Sequence, residues 1–501
     1  MASEDYFSDT DLRSDLKAKT VRGGAWTAVG QMVTIAVSLG SQPVLGRLLD
    51  PEDFGLMAMV AFFTNFGMLL VNAGLALATI QRDRITHAQV SNLFWIATGL
   101  GVAIGIVVAF LAPGVAGLYG DDRLIAVTLA LAASFPLCGM TIQHQALLRR
   151  TMKFRELAAI QILAMTAAQG IAIAWAWRRS GEADDYWALV SIPITTALVQ
   201  MLACWLACGW RPGWPRRGVG TRELVSFGAD VTGFNVVNYF ARNLDKPLIG
   251  WWWGAPAAGY YDRAYRLFLT PITHATGPYA GVAITALSRV TDQPAKYREA
   301  YLRILKPLLL VLCPAVVGSM VYAEEIVIVV LGPKWGESAH ILRYLMLVGV
   351  VQPFTNAVSW IMFSHGRSRD VLRLGTIGAA IKVSSFFVGL PWGPVGVALS
   401  YALGGVVIHT PMAIWYVTRT GPISWRDLVT AFSSALPAAA TVAVVALATK
   451  LQLAHLPQAA SLAVGLGLSV AVWLALVWRS EDGKYTIGEV LRIFRPTPPA
   501  T

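Results

Sequence analysis

The sequence predicts an all-α polytopic membrane protein of about 14 transmembrane helices, arranged as two parallel six-helix lobes followed by two further helices. Three observations predict it. Of 501 residues, 55% are hydrophobic and only 14% charged, with a mean hydropathy of +0.56, against roughly 25% charged in an average soluble domain. Apolar windows of about 20 residues, the length that crosses a bilayer as a helix, recur along the whole chain. The segment Pro43-Val44-Leu45-Gly46 through Phe54-Gly55 also returns in outline at Pro247-Leu248-Ile249-Gly250 through Ala258-Gly259, an offset of 204 residues that maps Gly24-Ala25 onto Gly228-Ala229.

In chain order the windows cover 24–48, 55–79, 91–113, 124–147, 157–177, 186–208, 224–250, 257–288, 304–331, 338–363, 371–391, 394–417, 428–449 and 457–478. Windows 224–250 and 257–288 run long and contain charges, so one of them is expected to be broken or tilted. Six windows separate the two copies, and an even number returns the chain to the same side of the bilayer. The halves are therefore parallel repeats related by an axis along the membrane normal. Proteins built this way rock one half against the other around something held between them, which places a transporter first among the function classes.

Residues 1–20 are mixed in charge (Glu4, Asp5, Asp9, Asp11, Arg13, Lys17, Lys19) and have no apolar core. They read as a cytoplasmic leader rather than a signal peptide, with 10–20 suited to an amphipathic helix on the inner surface. The first lobe is expected over 21–209. A basic linker over 210–222 follows, rich in Pro and Gly (Trp210-Arg211-Pro212-Gly213-Trp214-Pro215-Arg216-Arg217-Gly218). The second lobe is expected over 223–420, the two added helices over 421–479 and a cytoplasmic tail over 480–501. Every loop is short, so no extramembrane domain fits.

Lys and Arg concentrate in cytoplasmic loops, and that bias sets orientation. With a cytoplasmic N-terminus the inner loops hold Arg82, Arg84, Arg149, Arg150, Lys153, Arg155, Arg211, Arg216, Arg217, Arg222, Arg289, Lys296, Arg298, Arg303, Lys306, Arg367, Arg369, Arg373, Arg419 and Arg426; the outer loops hold chiefly Arg47, Arg123, Arg178, Arg179, Lys334 and Lys450. Both termini are expected inside. The formal charge of +11 follows from that asymmetry and calls for no nucleic-acid partner; the basic loops meet anionic membrane lipids.

Some chemistry is missing from the sequence. No Gly-x-x-x-x-Gly-Lys-Ser/Thr run occurs, and the seven histidines and four cysteines form no metal-ligand cluster, so neither a nucleotide, a metal nor another cofactor is expected, and no catalytic residue either. Cys138, Cys204, Cys208 and Cys313 fall inside apolar windows and read as packing residues. Asp50-Pro51-Glu52-Asp53 reads as a Pro-primed helix start with acids in its first turn, in preference to the acidic pair of a glycosyltransferase.

An ionisable side chain at membrane depth costs several kcal/mol, so each one is a functional candidate. Asp230, Asn235, Asn238, Arg242, Asp245 and Lys246 crowd span seven, with Asn235, Asn238 and Arg242 on one helical stripe. A buried Arg242–Asp245 pair locking the span to a neighbour is the plainer reading. The matching stripe of the first span is uncharged: Gln31, Thr34, Ser38, Ser41 and Gln42. Arg263 and Arg266, opening span eight, have the geometry to grip phosphate oxygens or to form an outer rim. Trp251-Trp252-Trp253 reads as an interfacial belt. Asn65, Asn72, Gln143, His144, Gln161, Gln169, Gln352 and Asn356 are polar within apolar runs, where amides commonly bond neighbouring helices. Lys382, near the middle of its span, suits a negatively charged substrate. Glu324 and Glu325 read as solvated.

Val21-Arg22-Gly23-Gly24-Ala25-Trp26, Gly46-Arg47-Leu48-Leu49-Asp50-Pro51-Glu52-Asp53-Phe54-Gly55, Asn243-Leu244-Asp245-Lys246-Pro247-Leu248-Ile249-Gly250, Gly259-Tyr260-Tyr261-Asp262-Arg263-Ala264-Tyr265-Arg266-Leu267 and Leu331-Gly332-Pro333-Lys334-Trp335 together resemble the polysaccharide transporters of the multidrug/oligosaccharidyl-lipid/polysaccharide flippase superfamily, close to the colanic-acid exporter type. The resemblance covers about residues 15–480; the Arg of the first half's Gly-Arg pair is replaced by Trp251 in the second. It implies two six-helix lobes plus two helices in a bacterial inner membrane, and a lipid-linked oligosaccharide on a polyprenyl diphosphate carrier as substrate. Alternating access would move the headgroup while the tail stays in lipid, with Arg242, Lys246, Lys382, Arg263 and Arg266 for phosphate and Asn235, Asn238, Gln31, Gln42, Asn65 and Asn72 for sugars. Asp230 and Asp245 are the candidates for ion coupling, and polysaccharide polymerase and export machinery the candidate protein partners. The competing readings are a drug exporter of the same superfamily, which would favour inward acids, and a membrane-embedded glycan polymerase or glycosyltransferase, which would need a long outer loop or paired catalytic acids.

Overall fold

In lipid every backbone polar group must be satisfied within the chain, and long apolar runs achieve this as helices. The structure, a computed structural model, describes residues 16–479 apart from 73, 83, 180, 182–183, 226–235, 237–238 and 241. The described residues form helices and no strand: α1 (Leu16–Leu48), α2 (Pro51–Asn72), α3 (Leu75–Gln81), α4 (His87–Tyr119), α5 (Arg123–Ala132), α6 (Ser134–Arg150), α7 (Phe154–Arg178), α8 (Trp187–Cys208), α9 (Asp245–Ser288), α10 (Pro294–Val321), α11 (Ala323–Leu331), α12 (Gly336–Ser364), α13 (Ser368–Gly389), α14 (Gly393–Leu403), a π-helical turn (Gly404–His409), α15 (Thr410–Thr420), α16 (Trp425–Gln452) and α17 (Gln458–Arg479). Their ends have local causes. A capping box of Thr86 and Gln89 starts α4, and Gly120, at φ 69°, ends it with its N–H on Ala116 O; Ser424 and Asp427 form the same box before α16.

Eleven stretches among the described residues are long and apolar enough to cross a membrane. One of them, Arg369–Arg419, is interrupted by the 3₁₀ turn Leu390–Trp392 and holds two of the expected spans. Much of expected span seven lies outside the described residues, and span eight lies in α9, whose Asp262, Arg263 and Arg266 lower its apolarity. Fourteen crossings are compatible with this arrangement. Among the described residues three of the expected spans are broken: Gly74, at φ 64°, separates α2 from α3, Ala133 separates α5 from α6, and Tyr322 separates α10 from α11.

The chain divides into two compact units, Met1–Gly259 and Tyr260–Thr501, the division falling within α9. In the first unit, α1 packs on α7, α7 on α8, and α6 on both α4 and α8. The α4–α6 approach is set by small residues, because a Cβ on Gly101 or Gly139 would lie 2.6 Å from the carbonyl oxygen of Phe135 or Ala97. Val90, Leu93, Phe94, Phe135, Leu147 and Cys204 fill the core there.

The 204-residue repeat is visible in the backbone. In the first copy α1 ends at Leu48, and α2 starts at Pro51 with the Asp53 carboxylate accepting the Asp50 N–H at 2.8 Å. In the second copy the position equivalent to Asp50 is Gly254, which breaks α9 with φ 80° and ψ 179°, a conformation open to glycine. The paired glycines of the motif meet. A Cβ on Gly55 would sit 1.8 Å from Ala255 O, and one on Gly259 would sit 1.8 Å from Pro51 O. Since Ala255 is the repeat equivalent of Pro51, the two contacts are images of each other, as a local twofold axis requires.

In the second unit, α10 packs on α16 and α12, α13 on α14, and α17 on α16, around Tyr297, Tyr301, Leu305, Leu309, Trp360 and Leu428. The two added helices are fastened by polar contacts. The Tyr322 hydroxyl bonds Ala446 O at 3.0 Å, Lys450 bonds Glu325 at 2.8 Å, and Trp473 Nε1 donates to Leu310 O at 2.9 Å. Glu325 is thus buried, 7% exposed, and corrects its reading as a solvated side chain: its counter-ion comes from α16, distant in sequence. Glu324 does remain half-exposed. The four cysteines are free.

Ion pairs join alternate loops within each unit. Arg82 pairs with Glu223 and Arg123 with Glu52 and Asp121 in the first; Arg298 pairs with Asp427 and Lys450 with Glu325 in the second. Each pair joins loops that alternating crossings place on one side of a bilayer. The Asp50-Pro51-Glu52-Asp53 segment serves as a helix start, and Glu52 is bound to Arg123.

Candidate functional site

Charged and amide side chains inside apolar helices are the groups that lipid alone does not explain. Asp230, Asn235 and Asn238 lie outside the described residues. The end of span seven that is described is fastened to α2. The Tyr239 hydroxyl donates to Phe62 O at 2.6 Å, and the rings of Tyr239 and Phe240 pack against Phe62 and Phe66 at centroid distances of 5.2–5.7 Å. Arg242, one helical step further on, is exposed, and Lys246 is half-buried. Asp245 is 1% exposed and accepts the Lys246 backbone N–H at 3.0 Å.

Asn65, between the two phenylalanines on α2, is exposed, as is Asn72 two turns on; the Asn72 amide donates to Met68 O at 2.9 Å. On α1, Gln31 is exposed and Gln42 half-buried, its Oε1 enclosed without a hydrogen-bond partner. Thr34 and Ser41 of the same stripe are satisfied by their own helix, through Gly30 O and Ser38 O. Gln143 is buried and accepts a hydrogen bond from Thr79 at 2.7 Å, which is the helix-bonding role expected of such amides. The structure thus brings Asn65 and the Arg242 end of span seven onto adjoining helices, while Gln31 and Gln42 sit on the helix that packs on α7.

In the second unit, Arg263 and Arg266 converge on one acid that sequence reading passed over. Asp262 Oδ2 accepts from Arg263 at 2.6 Å and from Arg266 Nε at 2.9 Å. The Arg263 side chain is 11% exposed and that of Arg266 51%. Both guanidinium groups thus meet the same carboxylate, and the more accessible of the two is Arg266. Spacing already held the signal, since Asp262 and Arg266 are four residues apart on a helix.

Lys382 lies half-buried on α13. Across from it stands His409, at the end of the π-helical turn; a Cβ on Gly378 would lie 2.6 Å from His409 Nε2, and Lys382 is one turn beyond Gly378 on the same face. The turn also packs on α12. A Cβ on Gly405 would lie 3.7 Å from Val348, and Gln352, half-buried with its Oε1 lacking a partner, is one turn beyond Val348. Lys382, His409 and Gln352 therefore occupy adjoining faces of three helical segments. Single π turns inside α-helices recur at functional sites, and no 3.6-residue periodicity announces one, so His409 was not legible beforehand. Cationic and amide groups of this kind bind oxyanions and hydroxyls.

The surroundings of these residues can be compared with known proteins. The chain is 24% identical over 399 residues to the lipopolysaccharide biosynthesis protein WzxC of Escherichia coli (strain K12), covering 78% of this chain and 80% of the relative. It is 25% identical over 351 residues to the teichuronic acid biosynthesis protein TuaB of Bacillus subtilis (strain 168), covering 69% and 71%, and 23% identical over 351 residues to the succinoglycan biosynthesis transport protein ExoT of Rhizobium meliloti (strain 1021), covering 69% and 70%. In fold it is similar to an inward closed structure of the lipid II flippase MurJ (TM-score 0.71, 13% identity, 94% of this chain and 99% of that one). It is also similar to an inward-facing multidrug resistance MATE family transporter of the MOP superfamily (TM-score 0.60, 16% identity, 77% and 94%). Residues 44–340, more than half of its length, match one family throughout, and the chain belongs to that family, the polysaccharide biosynthesis proteins.

Proposed function

We propose that this protein is a flippase that translocates polyprenyl-diphosphate-linked oligosaccharide repeat units across a bacterial inner membrane by alternating access, supplying exopolysaccharide or lipopolysaccharide synthesis. The observation that carries the reading is the base-rich set in the second unit. Lys382 near the middle of an apolar helix, with His409 and Gln352 on the adjoining faces, suits an anion with hydroxyl-bearing neighbours and repels amphiphilic cations. Relatives named for lipopolysaccharide biosynthesis, teichuronic acid biosynthesis and succinoglycan biosynthesis transport support a saccharide cargo. The candidate phosphate groups are Arg242 and Lys246 in the first unit and, in the second, Lys382 and the exposed Arg266; the amides of α1 and α2 are the candidates for sugars. Asp245, buried beside Lys246, is the first acid for coupling to an ion gradient, with Asp230 the second.

In this reading both termini are cytoplasmic, the lobes span 21–209 and 223–420, and 421–479 forms two added helices. Polysaccharide polymerase and export machinery would act on the product. The test is translocation of a defined polyprenyl-diphosphate oligosaccharide in proteoliposomes, comparing wild type with Arg242→Ala, Lys246→Ala and Lys382→Ala. At least one substitution is expected to abolish transport while the folded protein stays abundant. Normal transport by all three would refute the phosphate assignment.

A further inference from the structure

The linker that separates the two sets of spans is basic and rich in Pro and Gly, and its backbone is tied down along the start of α4. Gly213 N–H donates to Ser91 Oγ at 3.0 Å, Trp95 Nε1 donates to Gly213 O at 2.9 Å, and Asn92 both accepts from Arg216 N–H at 2.9 Å and donates to Arg216 O at 2.7 Å. Gln89 donates to Val219 O at 2.8 Å, and His87 Nε2 lies 3.2 Å from Arg211 O. The strap roofs a cleft of about 340 Å³, with Phe94, Trp95 and Thr98 of α4 on one wall, Trp205 of α8 on the other and Met140 of α6 as floor. That volume lies within the range of small-molecule sites, roughly 300–1,000 Å³.

Two features of the cleft ask for a ligand. At its mouth Arg211 lies over the Trp205 ring, 5.4 Å from the centroid, and donates to Trp205 O at 3.2 Å. Below the mouth Thr98 is 6% exposed, and its hydroxyl has no hydrogen-bond partner, although a helical threonine ordinarily bonds the carbonyl one turn back. An enclosed donor left alone is costly. The depth of each group can be read from the aromatic belt. Trp95 and Trp214 stack 6.1 Å apart and are both exposed, which marks the headgroup level. Three residues on from Trp95, Thr98 lies about 5 Å deeper along the helix, where glycerol ester carbonyls lie. Deeper still, exposed Val102 and Ile106 continue the Thr98 face of α4, and exposed Leu202 and Leu198 the Trp205 face of α8.

The geometry points to a binding site for one anionic glycerophospholipid of the surrounding bilayer: its phosphate at Arg211, an ester carbonyl accepting from the Thr98 hydroxyl once that side chain turns toward the cleft, and its acyl chain between α4 and α8. A polyprenyl phosphate has no ester carbonyl to meet Thr98, so this site is separate from any substrate path. Occupancy stiffens the strap, since Arg211 and Pro212 of the linker form its roof.

The test is native mass spectrometry of the purified full-length protein titrated with phosphatidylglycerol, phosphatidylcholine, diether phosphatidylglycerol or undecaprenyl phosphate. One phosphatidylglycerol is expected to be retained in preference to the other three. Arg211→Gln should weaken it about tenfold, whereas Arg217→Gln, an exposed arginine outside the cleft, should leave it unchanged. Thr98→Val, which keeps the shape, should erase the preference for diester over diether lipid. Equal retention of phosphatidylcholine, an unaltered diester preference in Thr98→Val, or tighter binding of undecaprenyl phosphate would overturn the assignment. A Thr98→Ser variant, which restores the hydroxyl, should recover the preference and so separates loss of the donor from damage to the fold.

Discussion

The paired glycines at the repeat contact allow one substitution type to be predicted with opposite signs at two places. At Gly259 an alanine Cβ would lie 1.8 Å from Pro51 O, 2.8 Å from Pro51 C and 3.1 Å from Gly55 N, all backbone atoms that no rotamer change can move. Carbon and oxygen prefer a separation above 3 Å, so the two helix starts must part by about 1.5 Å. Overpacking of this kind costs about 1–3 kcal/mol, and the helix propensity gained by replacing glycine returns at most about 1 kcal/mol. Gly259→Ala is therefore expected to be destabilising by about 1–2 kcal/mol. Gly170 on α7 has nothing within 4 Å of its ideal Cβ, so Gly170→Ala keeps only the propensity gain and should stabilise by up to about 1 kcal/mol. Thermal unfolding of the detergent-solubilised protein, followed by the fluorescence of its 18 tryptophans, reads both. Gly55→Ala should match Gly259→Ala, and the double variant should cost less than the two singles together, because the first methyl already separates the backbones. A Gly259→Ala protein as stable as wild type, or strict additivity in the double variant, would refute the contact.

The other expectations concern charge. Removing Lys450 leaves Glu325 enclosed without its counter-ion, so Lys450→Ala should destabilise by roughly 1–3 kcal/mol while Lys450→Ala with Glu325→Gln recovers part of the loss; unequal thermal shifts of the single and double variants check it. The Arg123 guanidinium beside Asp121 holds that carboxyl below the usual carboxylate range. A depressed folded-state value means that stability is fully present above the unfolded carboxylate pKa and is lost as pH falls through the folded one. Arg123→Gln should flatten the decline of melting temperature on the acid side, and an unchanged acid limb would count against the pairing. Replacing His409 by Gln keeps a polar group beside Gly378 but no base, and should reduce transport of the diphosphate-linked substrate in proteoliposomes by about tenfold or less, a smaller loss than Lys382→Ala; equal losses would make His409 and Lys382 one unit.

The crossings and the repeat were legible because both are properties of the chain's local chemistry. Apolar windows report helices directly, and Pro43, Gly46 and Gly55 recur at Pro247, Gly250 and Gly259 because a tight turn and a backbone contact demand them. What escaped was tertiary. The opposite partner of Glu325 lies on α16, and averaged hydropathy does not pair residues so far apart. Asp262 was overlooked beside two arginines although it neutralises one of them. His409 depends on a π turn, which leaves no periodic trace. Arg242 in the first unit stands out by the cost of its charge and by its stripe, Lys382 in the second by cost and mid-span position, and the structure adds the company each keeps: an aromatic anchor of Tyr239 and Phe240 for the first, His409 and Gln352 for the second.

The linker shows most plainly why composition and mobility are separate matters. Proline and glycine over 210–218 do exclude a helix, and that much follows from the missing N–H and the absent Cβ. They do not leave the backbone free, because buried or half-buried N–H and C=O groups still need partners, and Ser91, Asn92, Trp95 and Gln89 on the first turns of α4 supply them. The strap therefore moves with α4. The ties continue past Val219, through Thr221 to Asn92 and Glu223 to Arg82, so 210–223 holds no hinge between the two sets of spans, and substitutions that rigidify 210–218 should leave transport intact. Transport lost on replacing Gly213 by alanine, with the Gly213–Ser91 bond preserved, would place a hinge inside the strap and contradict this.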